Sequence, residues 1–159
     1  MPSTHALLIH IENLIHLYLV PQKKLRIRNI GPSPLIIYPC GFFDGAAAGN
    51  IGGAGFVIFL NDDYYISFSL GCGSSSNTKD ELLALWAILR VSKLMGLPMH
   101  SIFGDSLVTI SWLNRHTSLN VPSLNHWCDD IRSMMLHAPL VIFKHIYCEH
   151  NSMANGLSK

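Results

Sequence analysis

A chain of 159 residues in which 49% are hydrophobic and only 13% are charged has enough apolar material for one sizeable core and too little charge for intrinsic disorder. Its formal net charge of +1 excludes a strong global field, so nucleic-acid binding would have to rest on a local basic patch. Cys40, Cys72, Cys128 and Cys148 form no Cys-x-x-Cys pair and the histidines no His-Glu-x-x-His motif, which argues against the common zinc sites. Reduced, packed thiols in an intracellular compartment, nucleus or cytoplasm, are the expectation.

Residues 6–20 are the longest apolar stretch near the N-terminus, but His10, Glu12, Asn13 and His16 interrupt it, so no membrane span is expected. It reads as an amphipathic helix with Leu7, Ile11, Leu14, Ile15 and Tyr18 on one side. Pro21, Pro32, Pro34, Pro39 and Gly31 then mark residues 21–40 as a linker. Lys23, Lys24, Arg26 and Arg28 within it form either a solvated stretch or a phosphate-contacting patch. The expected organisation is a helix and Pro-rich linker over 1–40 and one domain over 41–159.

Apolar runs over 42–47, 54–60 and 64–70 predict three antiparallel strands, the last two joined by the turn Asn61-Asp62-Asp63. Gly49, Gly52 and Gly53 are expected to make the first connection a tight turn. A helix over 79–95 carries Leu82, Leu85, Trp86 and Leu89 and stops at Gly96-Leu97-Pro98. A strand over 101–104, helices over 107–115 and 124–137, a β-rich run over 140–147 and a last helix from Ser152 complete the chain. The order predicts an α/β fold, a mixed sheet covered by helices.

Three acids sit where acids are costly. Asp44 falls inside an apolar strand on the face shared by Phe42 and Ala46, and burying its charge without a partner costs several kcal/mol. The alternative is that it opens a turn with Gly45. Glu81 shares a helix face with Leu85 and Ile88, or else closes a capping box with Thr78. Asp105 ends a strand and could cap the next helix. Taken together, three hard carboxylates on elements that would adjoin in a compact sheet suit Mg²⁺ or Mn²⁺ and make two-metal phosphodiester hydrolysis available.

Four landmarks run in order along 41–159. They are Phe43-Asp44-Gly45-Ala46 with Gly49-Asn50, then Ser76-Asn77-Thr78-Lys79-Asp80-Glu81 before Leu85, then Gly104-Asp105-Ser106, and finally His145 through Asn151 to Leu157-Ser158-Lys159. Through them the chain resembles the type 1 ribonuclease H family, in its plant retroelement-derived form. The resemblance implies a five-stranded mixed sheet, three antiparallel strands plus two parallel, flanked by helices. It implies an RNA:DNA hybrid as partner and Mg²⁺ as cofactor, with Mn²⁺ as the alternative. Asp44 would bridge two ions, while Glu81 and Asp105 would each help hold one. Asn50, Asn77 and Thr78 match positions that contact the hybrid's backbone and minor groove. His145 matches a histidine tied to proton transfer or product release, and a plain solvent-facing histidine is the other reading.

The chain departs from the family at Asn155, where a fourth carboxylate is expected. An amide offers an oxygen but no charge, so weaker metal binding and slower turnover follow. Asp80 is an additional acid beside Glu81. Residues 116–123 lack the lysine cluster with which some relatives grip the hybrid, and the end at Lys159 fits either a short last helix or a piece of a longer polyprotein. The readings are therefore a hybrid-cutting hydrolase of the RNA strand, or a catalytically silent nucleic-acid-binding or protein-interaction module on the same fold.

Overall fold

A computed structural model describes Gln22–Lys23 and residues 35–159. The amphipathic helix expected over 6–20 and most of the expected linker lie outside the described residues. Among the described residues six strands form one sheet: β1 (Gln22–Lys23), β2 (Cys40–Ala48), β3 (Ile51–Phe59), β4 (Tyr64–Ser74), β5 (Ser101–Gly104) and β6 (Ile142–His145), in the order β1-β4-β3-β2-β5-β6. β2, β3 and β4 are the expected antiparallel meander, and β5 and β6 run parallel to β2. The five-stranded mixed sheet of the ribonuclease H-like α/β fold is thus present. A two-residue edge strand is added where linker was expected, because Gln22 and Lys23 pair with Tyr65 and Tyr64.

The helices are α1 (Asn77–Leu94), α2 (Leu107–Leu113), α3 (Asn125–Leu136) and α4 (Ser152–Leu157). Among the described residues no helix is long and apolar enough to cross a membrane. β2 is central and buried on both faces for most of its length, which is why its sequence is a continuous apolar run rather than an alternation. Phe43, Phe56, Ile58 and Ile102 face α1, itself buried almost all round between the sheet and α3. Phe42, Val57, Phe59 and Phe103 face the other way, where Ile146 and Ala154 of the C-terminal segment cover them. At about 25 cal/mol per Å² of apolar area, these two layers supply most of the drive to fold.

Of the boundaries that differ from the sequence expectation, two have a clear physical reason. Only Gly49, with φ of 64°, lies in the β2–β3 turn, whereas Gly52 and Gly53 sit inside β3 at a register shift. They are glycines because helix ends press on them: a Cβ on Gly52 would stand 2.0 Å from Asp80 Oδ2, and one on Gly53 would stand 2.2 Å from the Ser158 carbonyl oxygen. The β-rich run 140–147 shortens to Ile142–His145 because its strand partner among the described residues, β5, runs from Ser101 to Gly104.

Candidate active site

The site begins with the register of two parallel strands. Phe43 of β2 pairs with Gly104 of β5, and β5 ends there, so the next residue on each chain brings Asp44 and Asp105 alongside each other. This is the carboxyl end of a parallel pair beside an antiparallel one, the place where α/β sheets open a crevice. Glu81 arrives from the first turns of α1 on the opposite face. It can come so close because Gly45 has no side chain: a Cβ there would lie 2.1 Å from the Glu81 backbone nitrogen. One oxygen from each of Asp44, Glu81 and Asp105 lies within 4.8 Å of the others.

The structure decides between the readings the sequence left open. Ser76, not Thr78, caps α1, its side chain accepting from the Lys79 amide. Glu81 instead accepts from the Gly45 amide at 3.2 Å, and its Oε2 is buried with no hydrogen-bond partner among the described residues. Ser106, not Asp105, caps α2. Asp44 lies well inside β2 and is 6% exposed, so it opens no turn. With their structural alternatives gone, all three carboxylates are left facing one another.

Such crowding has an electrostatic signature. Burial, with the Asp44 charge next in weight, pushes the Glu81 carboxyl from its ordinary 4.5 up to about 9. Burial and the same Asp44 charge also raise Asp105. Without a cation the cluster therefore relieves its repulsion by holding protons. An orphaned buried oxygen on Glu81 and three converging hard oxygens fit a divalent cation, which would displace those protons.

A cleft of about 390 Å³ opens over the cluster, lined by Asn77, Thr78, Ser106, Val108, Asn155 and Lys159 besides Asp44 and Glu81. Asn77 Oδ1 accepts from the Ala47 amide at 2.7 Å, so the helix start is tied to the strand that carries Asp44. Asn50 is not in this cleft but at the exposed tip of the β2–β3 hairpin, where its carbonyl accepts from the Ser75 amide just ahead of α1. His145 is exposed at the end of β6, with Nε2 3.1 Å from the Asp105 carbonyl oxygen and its ring edge-on to Tyr147. Asn155, where the resemblance led to the expectation of a fourth carboxylate, lines the cleft. Asp80 does not stand in for it: fully buried, it accepts a hydrogen bond from Ser75 Oγ and lies against Gly52, outside the cluster.

Two contributors went unnoticed as site residues in the sequence. Asn151, 1% exposed, donates from Nδ2 to the Phe43 carbonyl at 2.9 Å and so anchors the start of α4 beside Asp44. Ser158 donates from Oγ to Asp44 Oδ2 at 2.5 Å. A signal for the second existed, since Ser158 stands one helical turn after Ala154 and so shares its buried face.

The reverse transcriptase-like family model matches residues 42–159. No curated protein matches the chain. Among solved structures, ribonuclease H1 from the archaeon Halobacterium salinarum is 24% identical, with a TM-score of 0.68 over 75% of this chain and 92% of its own. LC11 ribonuclease H1, from a compost metagenome and solved in complex with an RNA/DNA hybrid, is 23% identical, with a TM-score of 0.69 over 75% of this chain and 92% of that one. The foamy viral protease-reverse transcriptase, also solved with an RNA/DNA hybrid, is 16% identical, with a TM-score of 0.63 over 85% of this chain and 22% of that one. At these identities the likeness is one of fold, while the family model runs from Phe42 within β2 to the last residue. The chain belongs to the reverse transcriptase-like family, as a domain with the ribonuclease H-like fold.

Proposed function

We propose that the cleft hydrolyses the RNA strand of RNA:DNA hybrids, with Mg²⁺ or Mn²⁺ held by Asp44, Glu81 and Asp105. The observation that carries this reading is the convergence of three carboxylates from β2, α1 and the end of β5 within 4.8 Å, one of them with a buried oxygen that no donor among the described residues satisfies. A bound divalent cation would lower the pKa of water and neutralise charge on a phosphodiester. Asn77, whose Oδ1 is taken by Ala47, keeps its amide Nδ2 as a donor toward a nucleic-acid oxygen at the cleft. Thr78 adds a hydroxyl beside it, and Asn50 extends the same polar edge along the hairpin tip; such donors read the 2′-hydroxyls that separate RNA from DNA. His145 Nε2 is engaged with the Asp105 carbonyl, which leaves Nδ1 for proton exchange at the rim. Solved fold relatives bound to RNA/DNA hybrids support the choice of substrate.

Cleavage of a labelled RNA:DNA hybrid by the full chain, in Mg²⁺ and separately in Mn²⁺ with Asp44→Asn as the blank, tests the reading. Cleavage above the blank supports it, and its absence in a folded protein removes it. Asn155 favours a second reading, a silent hybrid-binding module, because an amide stands where a fourth charge would balance a second cation. That module would retard the hybrid in a gel without cutting it.

A further inference from the structure

One contact behind the carboxylate cluster bears on how many cations the cleft holds. Ser158 is 3% exposed, and its hydroxyl donates to Asp44 Oδ2 at 2.5 Å. The serine has little freedom to leave. Ser69 Oγ donates to the Leu157 carbonyl at 2.6 Å, pinning the end of α4 to β4. A Cβ on Gly55 would lie 2.6 Å from Leu157 Cβ, as one on Gly53 would crowd Ser158, so the last turn of α4 rests directly on the backbone of β3. Short hydrogen bonds from a hydroxyl to a carboxylate are among the strong ones, and each takes up one of the lone pairs a cation could use.

An aspartate that joins two cations offers an oxygen to each, and here Oδ2 already accepts from the Ser158 hydroxyl, which a cation at that oxygen would have to share or displace. Asn155, lining the same cleft, adds no charge toward a second ion, and Lys159 brings a positive one. We infer that the cleft takes a single divalent cation, and that Ser158 is the positioning residue that enforces this by engaging Asp44 Oδ2. The inference rests on the cation-binding reading of the cluster given above.

Titration of the full chain with Mn²⁺, followed by electron paramagnetic resonance without nucleic acid, tests it. Wild type should bind one ion. Ser158→Ala should bind it about three- to tenfold tighter, because a competitor for the carboxylate is gone, and Ser158→Ala/Asn155→Asp should take up a second ion. Ser158→Thr, which keeps the hydroxyl, should match wild type. A role confined to packing would instead make affinity follow the melting temperature, whatever the hydroxyl. Two ions on wild type, or unchanged affinity in folded Ser158→Ala, overturns the role of Ser158 while leaving the cation site standing. No ion on any folded variant overturns the cation reading and this inference with it.

Discussion

The amide of Gly45 donates to the Glu81 carboxylate across 3.2 Å, fastening the strand that carries Asp44 to the helix that carries Glu81. That bond exists only because Gly45 lacks a side chain. A methyl group there would meet the Asp80 carbonyl carbon and the Glu81 nitrogen at 2.1 Å, both backbone atoms that cannot rotate aside. Gly45→Ala should cost about 1–3 kcal/mol in urea unfolding and weaken Mn²⁺ binding about tenfold or more. Unchanged stability would mean that the start of α1 is not seated on β2 as described.

The pH dependence of stability should carry the mark of Glu81. Its folded carboxyl titrates near 9 and the unfolded one near 4.5, so the folded chain keeps a proton that the unfolded chain gives up. The stabilisation from this group is therefore full below about 4.5 and lost as pH rises to about 9. Asp105, also raised, acts in the same direction. In EDTA the melting temperature should fall across this window, and Glu81→Gln should flatten the fall and raise stability at about pH 8 by about 1–3 kcal/mol. Mn²⁺ affinity should run the opposite way, strengthening with pH as protons leave the cluster.

Asn155→Asp adds a negative charge to the cleft wall. If the wild type cuts hybrid weakly, this change should raise the rate about tenfold or more at fixed Mg²⁺. A wild type that binds hybrid without cutting it, and whose Asn155→Asp variant stays equally silent, would instead support the module reading. Single-turnover cleavage with saturating protein separates the two.

Asn151→Ala should act through position rather than contact with substrate. It removes the donor to the Phe43 carbonyl inside the core, at a cost of about 1–3 kcal/mol. Hydrogen exchange should show the C-terminal segment loosened before the rest of the sheet. A uniform loss of protection would argue that α4 does not come away by itself.

The acids were legible in the sequence because each broke a pattern: Asp44 a buried strand, Glu81 a buried helix face, Asp105 the end of a strand. The meander and the order of elements followed from apolar periodicity and turn residues. What the pattern hid was contact at long separation. Thr78 has the spacing of a capping residue, yet Ser76 takes the role, because Asn77 is already held by Ala47 from another element. Gly52 and Gly53 look like a turn, since nothing local reveals that Asp80 and Ser158 will press on β3. The spacing of Ser158 from Ala154 puts it on a buried face, but that it meets Asp44 there shows only when α4 crosses the sheet.

The glycines that receive the helix ends lie on both faces: Gly45 and Gly52 beneath α1, Gly53 and Gly55 beneath α4. At this end of the domain the sheet is no thicker than its own backbone, whereas elsewhere side chains hold the layers apart. Carboxylates rooted on opposite sides can therefore meet here. A saturation substitution scan read only by protein abundance should therefore reveal an intolerant band across β2 and β3, tracing the outline of the site without any measurement of catalysis.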